Sequence, residues 1–117
     1  MIIWIASYPK SGNTWIRSFL SYYLYSSGKN FSFDLLNNIG EFPDHHILKK
    51  FMDDNKFHDL AEVSKHWIKV QEFINLEKKN IFLKTHSAFC NINGNLFTDS
   101  RNTLAIIYVV RDPRNVI

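Results

Sequence analysis

The sequence predicts an α/β fold, a parallel β-sheet flanked by helices. Three observations point there. Three short runs are continuously apolar, IIWIA at 2–6, IFL at 81–83 and LAIIYVV at 104–110, as strands buried on both faces are. Between them, apolar residues recur at helical spacing. Each run also ends in a cluster that carries chemistry: Lys10 after the first, His86 after the second, Arg111 after the third. In open parallel sheets, ligands bind at the C-terminal ends of the strands.

The elements follow in order. After the strand at Ile2–Ala6, the period changes at Thr14. Trp15, Ile16, Phe19, Leu20, Tyr23 and Leu24 mark the core-facing stripe of a helix that Ser26-Ser27-Gly28 stops. Residues 31–40, FSFDLLNNIG, hold a short helical turn, and Asp44 caps a second helix through HHILKKFM. Asp59 with Glu62 reads as a capping box. Leu60, Val63, Trp67, Val70 and Ile74 then predict one helix with one buried stripe, ended by Lys78-Lys79-Asn80. Residues 91–103 are a loop with a small hairpin at Asn93-Gly94. Pro113 opens a further helix after the last strand.

Composition narrows the class. The chain has 117 residues, 45% hydrophobic and 15% aromatic, enough for a packed core rather than disorder. Its formal charge of +3 suits an anionic ligand, but the cations are scattered and form no nucleic-acid arm. Cys90 is the single cysteine, so no intramolecular disulfide forms, which fits a reducing compartment. No run approaches the roughly 18 apolar residues of a membrane span, and MIIWIASYPK lacks the basic start of a signal peptide. A cytoplasmic protein without a membrane span is expected.

Residues 8–15, YPKSGNTW, form the turn between the first strand and the first helix. A helix N-terminus presents unpaired N–H groups and a positive dipole end, which favour anions. Gly12 lets backbone amides approach a phosphate, Lys10 adds a full charge, and Ser11, Asn13 and Thr14 offer side-chain donors. The loop is not a Walker A motif, where the lysine follows the second glycine; here it precedes the only one.

YPKSGNTW resembles the 5′-phosphosulfate loop of the sulfotransferases that use 3′-phosphoadenosine 5′-phosphosulfate (PAPS), with Asn13 where threonine is commoner. FLKTH at 82–86 is similar to that family's catalytic-histidine segment, and YVVRDPRNV at 108–116 to the start of its 3′-phosphate segment. The resemblance implies a P-loop NTPase-like, three-layer α/β/α fold. It implies PAPS as donor, adenosine 3′,5′-bisphosphate as product, no metal, and a small-molecule or carbohydrate acceptor carrying a hydroxyl or amine. By the same resemblance, Lys10 and His86 are catalytic. Lys10, Ser11, Gly12, Asn13, Thr14, Trp15 and Arg111 bind the donor, with Trp15 stacked on adenine and Arg111 on the 3′-phosphate. Family domains run longer, so residues 1–117 are expected to be the N-terminal part of one sulfotransferase domain, inactive alone.

Other readings stay open on the residues alone. Periodicity makes Trp15 a core aromatic, and Arg111 a partner for Asp112 or Asp99. Lys84 is either site charge or a solvated strand-end lysine, and Arg114 is surface charge or a secondary contact. His45-His46, His58 and His66 read as surface histidines, since adjacent helical residues point about 100° apart. A P-loop nucleoside kinase would want a lysine after the glycine, and a non-catalytic nucleotide-binding module would have lost His86.

Overall fold

A computed structural model describes residues 1–115. Val116, in the segment that resembles the 3′-phosphate site, lies outside the described residues. The elements are β1 (Ile2–Ser7), α1 (Asn13–Tyr25), a 3₁₀ turn (Phe33–Asn38), β2 (Gly40–Glu41), α2 (His45–Leu48), a turn at Asp54–Lys56, α3 (Leu60–Ser64), α4 (Trp67–Ile74), a turn at Asn75–Glu77, β3 (Ile81–Thr85), β4 (Asn91–Ile92), β5 (Asn95–Leu96), β6 (Thr103–Val109) and a turn at Pro113–Asn115.

β1 is an inner strand of the sheet, between β3 and β6. The order is β2-β3-β1-β6 and every pairing is parallel. The chain leaves β1 towards β3 and returns on its other side as β6. Connections therefore diverge at the β1/β6 boundary, where open α/β sheets form a crevice at their C-terminal end. β4 and β5 form the expected hairpin around Asn93-Gly94.

Side chains alternate across a strand, so Ile2 and Trp4 share one face of β1. That face packs with Leu83, Phe42, Val63, Trp67, Val70 and Phe97 into one core. Trp4 meets Phe42 and Phe97 at ring separations of 5.4 and 5.2 Å, and its indole N–H donates to Thr103 Oγ1 at 2.8 Å. Gln71 is fully buried but satisfied: Nε2 donates to Phe97 O and Oε1 accepts from Thr98 Oγ1, each at 2.6 Å. Those bonds hold the 97–98 loop against α4.

Several expectations are corrected. The predicted single helix at 60–74 is two, broken at Lys65-His66. There Lys65 N and His66 N take tight i−3 bonds to Glu62 O and Val63 O. Asp59 does cap α3, through Ala61 N, but Glu62 turns to Lys65 at 2.7 Å instead of closing a capping box. Leu60 is exposed, while Val63, Trp67 and Val70 are buried. β6 is an edge strand among the described residues, so its Leu104, Ile106 and Tyr108 are exposed rather than covered on both faces. The short β2 was not anticipated.

The largest correction concerns α1. Of the expected stripe, Trp15, Phe19, Tyr23 and Leu24 are exposed and Ile16 and Leu20 only half-buried, while the buried positions are Asn13 and Ser21. Asn13 is tied beneath the loop, which fixes the rotation of the helix. At 3.6 residues per turn, Trp15 then lies about 200° away from it. Arg17 adds a second tie by donating to Ile39 O at 3.0 Å. Burial pulls the Arg17 pKa below the usual arginine value, and Glu41 opposes that shift. Among the described residues, no helix is long and apolar enough to cross a membrane.

Three stability outcomes follow. Trp67→Ala, in the core, is expected to cost about 3–5 kcal/mol in urea unfolding. Tyr23→Ala, on the exposed side of α1, stays within about 0.5 kcal/mol. Gly12 has φ +104°, yet a Cβ there would meet only Val109 Cγ1, at 3.8 Å. Gly12→Ala therefore costs backbone strain alone, about 1–2 kcal/mol by the same assay.

Candidate functional site

The site grows from the five residues between β1 and α1. Lys10 and Gly12 both take positive φ, 63° and 104°, which folds the chain sharply enough to start a helix directly off the sheet. Among the described residues, the backbone N–H groups of Ser11 and Gly12 have no acceptor. The first-turn N–H groups of α1 have none within the helix by geometry. Such a cluster of unspent donors at a helix start is a ready anion cradle.

A cleft of about 460 Å³ opens over this loop. It is lined by Lys10, Gly12, Asn13, Thr14 and Trp15 from the loop and helix, by His86 after β3, and by Arg111 after β6. The three strand ends thus converge as their positions in the sequence suggested. Ser18 also lines the cleft and was missed; it sits one helical turn beyond Thr14, whose carbonyl accepts its hydroxyl at 2.8 Å. Ser11, within the loop, is buried and does not line the cleft.

Asn13 departs most from expectation. Its side chain is buried and turned inward, donating to Ile5 O at 3.0 Å and Ser7 Oγ at 3.1 Å. Its amide hydrogens are committed to the protein, which leaves the backbone N–H for a ligand. Trp15 is 72% exposed and so is no core residue. Its ring begins a stacked ladder with Phe19 and Tyr23, with centroids 6.5 Å apart at each step.

The cations sort themselves. Asp112 is taken by Arg114 at 2.6 Å and Asp99 by Arg101 at 3.0 Å. The Arg114 side chain and backbone N–H hold the Asp112 carboxyl below its ordinary range, against a small desolvation effect. Arg111 and Lys10 have no acidic partner among the described residues. Arg111 instead reaches across to Lys10 O, at 3.4 Å. Lys84 pairs with Glu41 on β2 at 3.3 Å and does not line the cleft. His45 stacks on Phe57, away from the site, with ring centroids 4.8 Å apart.

A second cleft, about 420 Å³ and mostly apolar, also includes His86 in its lining. Tyr8, Ala88, Phe89, Ile106 and Tyr108 form its walls. His86 is the one histidine of either cleft and belongs to both.

Neither the curated proteins nor the solved structures give a significant match to this chain. The model of the sulfotransferase domain matches residues 2–117, from the first residue of β1 through the loop, His86 and Arg111. With that match spanning nearly the whole sequence, the chain belongs to the sulfotransferase domain family.

Proposed function

We propose that this protein uses PAPS as donor and transfers its sulfuryl group to a hydroxyl or amine acceptor, with His86 as general base. One observation carries the reading: His86 lines both the polar cleft with Lys10 and Arg111 and the apolar cleft with Tyr8 and Phe89. A base that takes a proton from the attacking group must stand where donor and acceptor meet.

The residues present fit such a donor. Two cations without acidic partners among the described residues, free N–H groups at a helix start, and an exposed indole flank one cleft. PAPS supplies, when bound, a sulfuryl group on a phosphate leaving group. The loop N–H groups and Thr14 would hold the 5′-phosphate. Arg111, with its planar fork of donors, suits the 3′-phosphate. Trp15 offers a stacking surface for the base. His86 takes the acceptor's proton as the new bond to sulfur forms. The electron pair of the broken bond goes to the bridging oxygen, where the Lys10 cation stabilises the growing charge.

The apolar walls of the second cleft favour an acceptor whose hydroxyl or amine is carried on a hydrophobic body. The exposed apolar side chains of β6 support a domain of which residues 1–117 are the N-terminal part.

Calorimetric titration with adenosine 3′,5′-bisphosphate tests the donor assignment. Saturable binding is expected, with ATP–magnesium a poor competitor. Lys10→Ala and Arg111→Ala each weaken it about tenfold or more, the worth of a hydrogen bond to a charged group. Tighter binding of ATP, or unchanged affinity in both variants, would contradict the proposal.

A further inference from the structure

His86 is held by its inner nitrogen. Nδ1 lies 2.8 Å from the carbonyl oxygen of Ser7 and 3.4 Å from Ser7 Oγ. A carbonyl oxygen only accepts, so the shorter contact requires the proton on Nδ1. Nε2 is then the nitrogen with the free lone pair. Free neutral histidine prefers the opposite arrangement, with the proton on Nε2. The protein therefore selects the tautomer, and a hydrogen bond at one ring nitrogen is the usual means of doing so.

Ser7 is in turn fixed. It is buried at the end of β1, and its Oγ lies 3.1 Å from Asn13 Nδ2. The same Nδ2 lies 3.0 Å from Ile5 O. Again the carbonyl decides: the amide nitrogen must face it, which leaves Oδ1 buried without a partner among the described residues. A threonine hydroxyl has one donor and cannot serve both acceptors. Asparagine at position 13 can, and it links the start of α1 to the end of β1 and so to His86.

We propose that Asn13 and Ser7 are positioning residues for His86. Asn13 pins the Ser7 hydroxyl and the strand end that carries the Ser7 carbonyl. Ser7 then keeps Nδ1 protonated, so that Nε2 is the proton acceptor. The catalytic meaning of this arrangement rests on the reading of His86 as base. It gives the Asn13 side chain a task separate from the donor phosphate.

The test is the tautomer itself, read by NMR of the protein labelled with ¹⁵N-histidine. His86 is assigned among the five histidines by its loss in His86→Gln. In the neutral imidazole, Nδ1 of His86 is expected to be the protonated nitrogen and Nε2 the bare one. Ser7→Ala keeps the carbonyl that fixes the tautomer but loses the hydroxyl that Asn13 pins, so the tautomer ratio moves towards Nε2–H by less than the roughly fivefold worth of one whole ordinary hydrogen bond. Ser7→Thr, which keeps the hydroxyl, restores it. Asn13→Thr moves the ratio in the same direction as Ser7→Ala. A structural strut alone would leave the tautomer untouched, and unchanged signals from the other four histidines show that each variant is folded. A protein with the proton on Nε2, or a Ser7→Ala variant with an unchanged ratio, overturns the proposal. Adenosine 3′,5′-bisphosphate affinity is measured on the same samples. If it fails to bind, the sulfotransferase reading falls, and with it the catalytic use of the tautomer, whatever the spectra show.

Discussion

The Asn13 side chain donates inward, to Ile5 O and Ser7 Oγ, and the geometry of the site depends on that pair of bonds. It clamps the start of α1 onto the end of β1 across a loop of five residues. With those ends fixed, the chain between them must turn sharply, and Lys10 and Gly12 take the positive φ that this requires. The backbone N–H groups of Ser11 and Gly12 are then left without acceptors among the described residues. The clamp also sets the rotation of α1. Asn13 lies inside, so Trp15 comes out beside the cleft, and Phe19 and Tyr23 follow it on the exposed side. A buried amide with one oxygen unpartnered is a cost the fold accepts at this point. Such local conflicts are concentrated at functional sites.

Electrostatics separates two kinds of cation. Arg101 and Arg114 sit within two residues of the aspartates they pair with, and Lys65 is bonded to Glu62 one turn away. These exposed pairs contribute little to stability, but they occupy nearby charge. Lys84, two residues before His86, is drawn to Glu41 on the neighbouring strand. Lys10 and Arg111 are left over in the lining of one cleft, with no acidic partner among the described residues. Two like charges brought together at the end of a parallel sheet, beside a helix start, repel each other unless an anion joins them.

Much of this was legible in the sequence. The three long strands are continuous apolar runs, and their C-terminal residues are chemically distinct, so Lys10, His86 and Arg111 could be placed at one sheet edge before any coordinates. The hairpin at Asn93-Gly94 and the caps at Asp44 and Asp59 carry local signals that tertiary packing did not override. The rest depends on contacts between distant residues. Periodicity finds the apolar residues of α1, but not that a buried asparagine turns Trp15, Phe19 and Tyr23 outward. The break at Lys65-His66 has no glycine or proline to mark it. β2, two residues long, has no period to read. The bond between His86 and the Ser7 carbonyl spans 79 positions and involves backbone, which leaves no trace in residue identity.

The most direct test of the account follows the backbone amides during titration with adenosine 3′,5′-bisphosphate in two-dimensional ¹H–¹⁵N spectra. The central claim is that the β1–α1 turn receives the donor through its N–H groups. It predicts that the largest shifts fall on Ser11, Gly12, Asn13 and Thr14, with Arg111 responding at the same concentrations and the hairpin residues 91–96 unmoved. Shifts scattered over the surface, or concentrated away from the turn, would contradict it.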